Sequence, residues 1–312
     1  MSDLVASVKK NVAVLLGYCH GEKYLQDQLD SIWSQGENIK IWISNDDYEN
    51  QPCELLNRLV SQKGNGLVEV LNGPKKGFAR NFLSLIGNAD IKADFFAFSD
   101  QDDIWEQDKI SRAINWLNTI PSDCPAYYCS RTRLINEQGQ EIGLSPLFKR
   151  KPSFKNALVQ NIAGGNTMVI NQAARDLLAQ TKDASVVSHD WWAYMLITGA
   201  GGQVFYDPHP TIRYRQHNGN LVGSNQSLCA RAMRLVMMLN GRYRKWNQQN
   251  CENLQQYRHL LTTENKLTLD AFCEARKNWV LPRIYGIWKS EVYRQSFPQN
   301  MGLTAATILN RI

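Results

Sequence analysis

ADFFAFSDQDDIW, residues 93–105, joins an apolar run to a dense group of carboxylates. The apolar residues Phe95–Phe98 predict a buried strand, and Asp100, Asp102 and Asp103 follow where that strand ends. Three carboxylates at one strand end repel one another unless hydrogen bonds, water or a cation relieve the repulsion. The spacing Asp-x-Asp suits a hard divalent ion, which takes oxygen ligands and also binds phosphate oxygens. The stretch therefore predicts a metal site at the edge of a sheet.

A helix N-terminus is the alternative interpretation of the same carboxylates, because acidic side chains cap helices and favour the helix dipole. We expect that role for Asp103, which lies closest to the next helical pattern. A triple of carboxylates exceeds what capping requires, so we favour a metal site at Asp100 and Asp102.

Strands alternate with helices through the first 120 residues. This order indicates an α/β domain with a largely parallel sheet, in which ligands bind beyond the carboxyl ends of the strands. The predicted strands are 11–16, 39–44, 67–71 and 95–98, and the predicted helices are 22–33, 52–62, 77–86 and 109–118.

The second half of the chain is less regular. The patterns predict a strand pair, 127–130 with 133–135, and a short strand 203–205 that ends at a turn over Pro208–Pro210. A glycine-rich segment, 161–166, precedes a strand at 167–170 and a helix at 172–180, and another helix begins near His189. Beyond residue 220 the patterns become long and helical.

Composition limits the class of protein. The chain has 312 residues, of which 43% are hydrophobic and 21% are charged, as in ordinary globular proteins. No apolar run is long enough to span a bilayer, and the polar start does not resemble a secretory signal. The seven cysteines contain no Cys-x-x-Cys pair, so we expect a reducing, cytoplasmic setting without a disulfide framework.

Positive charge is concentrated in the C-terminal part. Residues 229–312 contain 13 Lys and Arg against 5 Asp and Glu, whereas the net charge of the whole chain is +6. Such asymmetry favours an anionic partner for the tail, either membrane headgroups or nucleic acid. No nucleic-acid-binding motif is present and the preceding part is net acidic, so we expect no nucleic acid partner.

Four further polar segments follow predicted strands or begin helices. Asn45-Asp46-Asp47 suits either an Asx turn or a carboxylate that accepts a pyrimidine N–H. Gly77–Asn81, with Arg80, suits a basic turn or a phosphate contact, and in isolation we favour the turn. SHDWW, residues 188–192, suits a capped core helix or a general base walled by aromatic rings. RYRQHNGN, residues 213–220, is rich in donors, and its His217 is either structural or a metal ligand.

Taken together and in order, these motifs resemble family 2 glycosyltransferases of the GT-A fold, most closely the bacterial rhamnosyltransferase-like members. The resemblance covers about residues 11–223 and depends most on FSDQDDIW (98–105) and SHDWW (188–192). It implies a GT-A catalytic domain at 1–223, with a nucleotide-sugar half at about 1–120 and an acceptor half at about 121–223. A basic helical region would occupy 224–312.

The resemblance also implies a role for each motif. Asp102 would be the main ligand of Mg²⁺ or Mn²⁺, with Asp100 and His217 as further ligands, and Asp190 would deprotonate the acceptor hydroxyl. The implied nucleotide-sugar contacts are Tyr18, Asp46, Arg80, Asp100 and Gln101, and the implied acceptor-side residues are Gly165, Asn166, Trp191 and Trp192. Two segments depart from the family pattern, namely Tyr18–Gly21 and Asn45–Tyr48, and both fall in the nucleotide-binding part.

The implied reaction is an inverting, metal-dependent sugar transfer from a nucleotide-diphospho donor, with dTDP-L-rhamnose as the expected donor. UDP-galactofuranose, UDP-glucose and UDP-N-acetylhexosamine remain alternatives, and a nucleotidyltransferase is a more distant one. The expected acceptor is a lipid-linked saccharide for a surface polysaccharide such as O-antigen or capsule. We expect a cytoplasmic protein with peripheral contact to the anionic inner face of the membrane through its C-terminal region.

Overall fold

The computed structural model describes residues 9–47, 56, 58, 61, 66–217 and 241–312. Their strands form one nine-stranded sheet in the order β3-β2-β1-β4-β8-β6-β9-β5, with β7 paired to β6. The strands are β1 Asn11–Tyr18, β2 Asn38–Asn45, β3 Val68–Asn72, β4 Phe95–Ser99, β5 Ile104–Trp105, β6 Ala126–Ile135, β7 Glu141–Leu144, β8 Val169–Asn171 and β9 Gln203–Arg215.

The first four strands of this order run parallel. β1 pairs in parallel with β2 and with β4, and β2 pairs in parallel with β3, so their carboxyl ends meet at one edge. β8 is antiparallel to both β4 and β6, and β9 is parallel to β6. The sheet is therefore mixed, and its parallel half carries the predicted polar segments at the strand ends.

Alternation along the strands divides the core between the two faces of the sheet. Val12 and Leu16 of β1 belong to one buried cluster, whereas Ala13 and Leu15 belong to the other. Successive side chains of a strand point to opposite faces, so a strand that is apolar throughout needs cover on both sides. Helices supply that cover.

Ten α-helices accompany the sheet in the described part of the chain. They are α1 Glu22–Trp33, α2 Phe78–Gly87, α3 Lys109–Leu117, α4 Phe154–Ala157, α5 Gln172–Ala179, α6 His189–Gly199, α7 Arg242–Gln256, α8 Thr263–Lys277, α9 Val280–Lys289 and α10 Phe297–Ile308. Within the described residues, none of these helices combines the length and the apolar character needed to cross a bilayer. The predicted helix 52–62 lies outside the described residues except at positions 56, 58 and 61, which are helical.

Two predictions for the second half were wrong. The expected strand pair 127–130 and 133–135 is one continuous strand, β6, and its antiparallel neighbour is β7. The expected turn at Pro208–Pro210 does not end β9, which continues to Arg215. Its pairing with β6 shifts register around Arg131, and this irregularity accommodates residues that cannot donate to the ladder.

The C-terminal helices pack on the part of the chain that carries the sheet. Trp246 of α7 meets the Trp191 ring edge-to-face at 6.3 Å, and Tyr257 meets Trp192 in the same way at 6.0 Å. The Asn265 side chain donates to the carbonyl of Thr198 at the end of α6. Residues 224–240 of the predicted basic helical region lie outside the described residues.

Candidate active site

The acidic loop after β4 meets the end of β9. The Asp102 carboxylate lies 2.7 Å from the His217 imidazole, measured from Oδ2 to Nε2. Both side chains are less than one-fifth exposed, at 17% and 19%. β5 pairs antiparallel with β9 at Ile104 and Arg213. This pairing brings together Asp102 and His217, which are 115 positions apart in the sequence. The structure therefore brings together two of the three predicted metal ligands.

Arg215 connects the segments that meet at this junction, and we did not predict a site role for it from the sequence. Its buried guanidinium donates to the carbonyls of Asp102 and Glu137, at 3.1 and 3.0 Å, and pairs with Asp27 at 3.3 Å. The same group lies 4.4 Å above the Tyr24 ring, and that ring also contacts His217. Arg215 thus holds both the loop of Asp102 and the chain that leads to His217.

Asp103 is not the helix cap that we predicted. Its side chain is fully buried, and its carboxylate accepts from the Asn166 amide at 2.5 Å and from the Arg215 backbone N–H at 3.2 Å. The N-cap residue of α3 is Asp108. Burial raises the pKa of Asp103, and the charge of Asp102 raises it further.

A buried lysine, Lys109, binds the same asparagine as Asp103. Lys109 is fully buried, and its ammonium donates to the Asn166 carbonyl at 3.0 Å and lies 4.7 Å from the Trp105 ring centre. Burial lowers the pKa of Lys109 to about 7, against the opposing effect of the Asp103 charge. Asn166 therefore binds Asp103 and Lys109 and is itself buried, and its predicted place on the acceptor side stays a prediction.

Asp190 lies in the first turn of α6 and belongs to the same electrostatic cluster. Its Oδ1 accepts the Trp191 backbone N–H at 2.7 Å, and a carboxylate is favoured at a helix N-terminus. Burial raises the pKa of Asp100 to about 7, with further increases from the charges of Asp102 and Asp190. The charges of Asp102 and of the predicted base Asp190 therefore both act on Asp100.

His189, beside the predicted base, is a neutral core residue. It is 4% exposed, and its ring stacks on Phe82 at 4.0 Å and on Phe98 at 5.6 Å between ring centres. Neither ring nitrogen has a hydrogen-bond partner among the described residues. Burial lowers the pKa of His189 to about 4. A methyl group on Gly165 would collide with Nε2 of this ring, which explains a glycine there.

The predicted nucleotide end is built around the loops after β1 and β2. The Gln101 side-chain amide binds both backbone polar groups of Cys19. It accepts from the Cys19 N–H at 2.8 Å and donates to the Cys19 carbonyl at 2.9 Å. Asp46 is 3% exposed and accepts the Lys75 N–H at 2.5 Å, and burial raises its pKa. Tyr18, at the end of β1, is also buried. These side chains shape the loops, and their contacts to a nucleotide stay a prediction.

Arg80 and the two tryptophans already have hydrogen-bond partners in the protein. The Arg80 guanidinium donates to the Lys182 carbonyl at 2.9 Å and pairs with Asp183, so a nucleotide contact requires it to leave these partners. Trp191 and Trp192 are buried, and their indole N–H groups donate to the Ala157 carbonyl and the Thr181 hydroxyl. These rings belong to the core, and a contact of either one with an acceptor stays a prediction.

A divalent ion fits the donor set at Asp102 and His217. Mg²⁺ is usually held by one or two protein carboxylates together with substrate phosphates, and Mn²⁺ also accepts imidazole. No three His, Cys, Asp or Glu side chains converge as a protein-only cage within 9–47, 66–217 and 241–312. The open pair that is present suits an ion shared with a diphosphate.

Comparison with known proteins identifies the family of this chain. The family model described as glycosyl transferase family 2 matches residues 14–178. The dTDP-rhamnosyl transferase RfbG of Shigella flexneri is 31% identical over 243 residues, which cover 72% of this chain and 80% of that protein.

Solved structures share the fold at low identity. TarS 1–349 of S. aureus, in complex with UDP-GlcNAc, superposes with a TM-score of 0.51 at 12% identity, covering 96% of this chain and 89% of TarS. GalNAc-T7 with UDP, GalNAc and Mn²⁺ gives 0.55 at 12% identity, covering 96% of this chain and 58% of that one. The predicted GT-A fold with a helical C-terminal region is confirmed. The chain belongs to glycosyl transferase family 2 and is a glycosyltransferase enzyme.

Proposed function

We propose that this enzyme transfers a sugar, with inversion, from a nucleotide-diphospho donor to a saccharide hydroxyl in a metal-dependent reaction. The observation that carries the proposal is the pairing of Asp102 with His217 at 2.7 Å, together with Asp100, on which the charges of both Asp102 and Asp190 act. An ion site for a diphosphate and a carboxylate base are the two parts that such a transfer needs.

Each side chain has a separate task in this mechanism. Asp102 and His217, with Asp100 beside them, would hold Mg²⁺ or Mn²⁺, which neutralises charge on the leaving diphosphate. Asp190 accepts the proton of the acceptor hydroxyl, whose oxygen then bonds to the anomeric carbon. The bond from that carbon to the diphosphate oxygen breaks, and the diphosphate leaves with the electron pair. Attack from the face opposite the leaving group inverts the anomeric centre.

RfbG supports dTDP-L-rhamnose as the donor, because its name specifies dTDP-rhamnosyl transfer and it is 31% identical to this chain. We extend the proposal to a lipid-linked saccharide acceptor of O-antigen or capsule synthesis. The setting would be the cytoplasmic face of the membrane, with peripheral contact through the C-terminal region.

The donor is tested by thermal stabilisation with a panel of nucleotide sugars, each with Mn²⁺, with Mg²⁺ and with a chelator. We expect dTDP-L-rhamnose with metal to raise the melting temperature most. A larger metal-dependent shift with UDP-galactofuranose, UDP-glucose or UDP-N-acetylhexosamine would replace the donor and leave the reaction class in place. Stabilisation by none of these compounds, together with no transfer, would refute the proposed function.

Two substitutions separate the metal site from the base. Asp102→Asn should weaken metal-dependent nucleotide binding by about tenfold or more, since one charged ligand is lost. Asp190→Asn should reduce turnover by a factor on the order of 10² to 10⁴ and leave donor affinity unchanged. Asp30→Asn, at an exposed position of α1, is the matched control and should behave as the wild type. Near-normal turnover of Asp190→Asn would remove that residue from the base role.

A further inference from the structure

The last two helices expose apolar side chains in regular stripes. On α9, Leu281, Tyr285 and Trp288 are all exposed, and Trp288 reaches 74%. On α10, Phe297, Met301 and Ile308 are exposed, and Phe297 reaches 77%. Spacings of three, four and seven residues keep side chains on one face of a helix. We call these six side chains the docking face.

Helix α9 buries Arg283 and Ile287 and exposes large apolar side chains on its other side. Its inward side carries Arg283, which is 4% exposed and donates to the carbonyls of Asn278 and Thr307. A helix at a water-exposed surface normally turns charge outward and apolar residues inward. In α9 the buried Arg283 has hydrogen-bond partners, whereas Leu281, Tyr285 and Trp288 are exposed to water. Burial of these three apolar side chains by a partner would therefore be favourable.

We propose that the docking face inserts into the headgroup region of an anionic bilayer. Trp, Tyr and Phe on short amphipathic helices are preferred at the boundary between headgroups and acyl chains. At 10 and 12 residues, α9 and α10 are too short to span and suit an orientation along the surface.

Charge favours a bilayer over a second copy of this chain. Residues 279–312 contain one acidic residue, Glu291, and four basic residues, of which Arg283 is buried and the other three are not. The Glu291 carboxylate is already bonded to the Lys155 ammonium at 2.5 Å. Two such positively charged segments repel each other when they meet, whereas anionic lipid attracts each of them. The apolar stripes supply most of the binding energy and the charge selects the lipid.

Membrane binding by the docking face would be a role of the C-terminal helices that is separate from the transfer reaction. The inference of a lipid-linked acceptor depends on the proposed function. The inference of membrane insertion depends on the exposed side chains of the docking face. Because α7 and α8 connect the docking face to the helix of Asp190, a seated enzyme would keep its base at a constant height above the headgroups.

Vesicle sedimentation tests this inference with the full chain. One variant carries Leu281→Gln, Tyr285→Gln and Trp288→Gln, and the matched control carries Ile142→Gln, Leu147→Gln and Leu267→Gln at exposed apolar positions elsewhere. On vesicles of phosphatidylethanolamine and phosphatidylglycerol, the first variant should bind at least about tenfold more weakly than wild type, because each apolar side chain contributes to partitioning. The control should bind as wild type does.

A conservative variant guards against misfolding. Trp279, the exposed N-cap residue of α9, is a second indole beside the docking face. Trp279→Phe with Trp288→Phe keeps the apolar area, so this variant should still bind while losing fluorescence quenching by lipids with brominated acyl chains. Wild-type quenching that is unchanged in this variant would overturn the insertion of this face.

Further outcomes exclude other occupants and separate this inference from the proposed reaction. Equal vesicle binding by the Gln variant and the wild type would refute the proposal. So would a wild-type dimer that the same substitutions dissociate, without any vesicle binding, because a second copy would then cover the face. Nucleotide-sugar hydrolysis in solution should be unchanged in the Gln variant, so an inactive wild type would refute the proposed function and leave vesicle binding as an independent result.

Discussion

Replacing His189 by leucine should make the enzyme more resistant to acid. The buried ring lies between Phe82 and Phe98, and neither of its nitrogens has a partner among the described residues. Protonation would therefore place an uncompensated charge in an apolar layer. Leucine keeps an apolar side chain there and removes the titration.

The magnitude follows from the shift in pKa. The pKa of His189 is about 4 in the folded protein, whereas an unfolded histidine titrates near 6.5. Between these two pKa values the unfolded chain binds more protons than the folded protein. The contribution of neutral His189 to the free energy of unfolding is therefore fully present above pH 6.5 and is lost as the pH falls towards 4. The full loss is about 3 kcal/mol of unfolding free energy, of which about 2 kcal/mol is gone at pH 5.

Urea unfolding at pH 8 and pH 5 measures this difference. We expect the stability of wild type to fall between these two conditions by about 2 kcal/mol more than that of His189→Leu. His259→Leu, which removes an exposed histidine, is the control and should show the wild-type pH dependence. An identical pH dependence in wild type and His189→Leu would refute our account of a neutral, buried histidine.

Further predictions concern close packing and the junction beneath Asp102. Gly165→Ala should cost about 1–3 kcal/mol of stability because the new methyl group collides with a ring, and an unchanged urea midpoint would contradict this. Gly302→Ala, where the methyl group meets no atom within 4 Å, should instead gain about 0.5–1 kcal/mol as a helical control. Arg215→Lys should weaken metal-dependent nucleotide binding about tenfold, because the planar guanidinium bonds two carbonyls and a carboxylate at once. Isothermal titration with metal would show this loss, and wild-type affinity would exclude the positioning role.

Periodicity made the parallel half of the sheet predictable. Strands β1, β2 and β4 are short apolar runs that end in polar residues, and their order alone places Asp46 and Asp100 at one edge. The meeting of Asp102 with His217 was anticipated through family resemblance, since no local pattern connects residues 115 positions apart. Long strands with internal prolines, such as β9, defeat a local prediction because partner strands compensate for the missing donors.

Buried polar layers were the part that sequence reasoning missed. Asp103 resembles a helix cap from its neighbours, and its actual partners, Asn166 and the Arg215 N–H, come from distant segments. Lys109 begins a helix like any solvated lysine, although the fold encloses it completely. The tryptophans of SHDWW were ambiguous for the same reason, because an aromatic pair suits a ligand wall and a core equally well.

The edge-to-face contacts of Trp191 and Trp192 with the tail have a consequence for how the chain is divided. A protein shortened at residue 223 would leave both indoles without Trp246 and Tyr257, and the first turn of α6 would lose its outer support. We expect such a fragment to form its sheet and to position Asp190 poorly. We therefore expect the catalytic domain and its appendage to unfold as one cooperative unit, and an exchange of tails between related enzymes would have to include the residues that face α6.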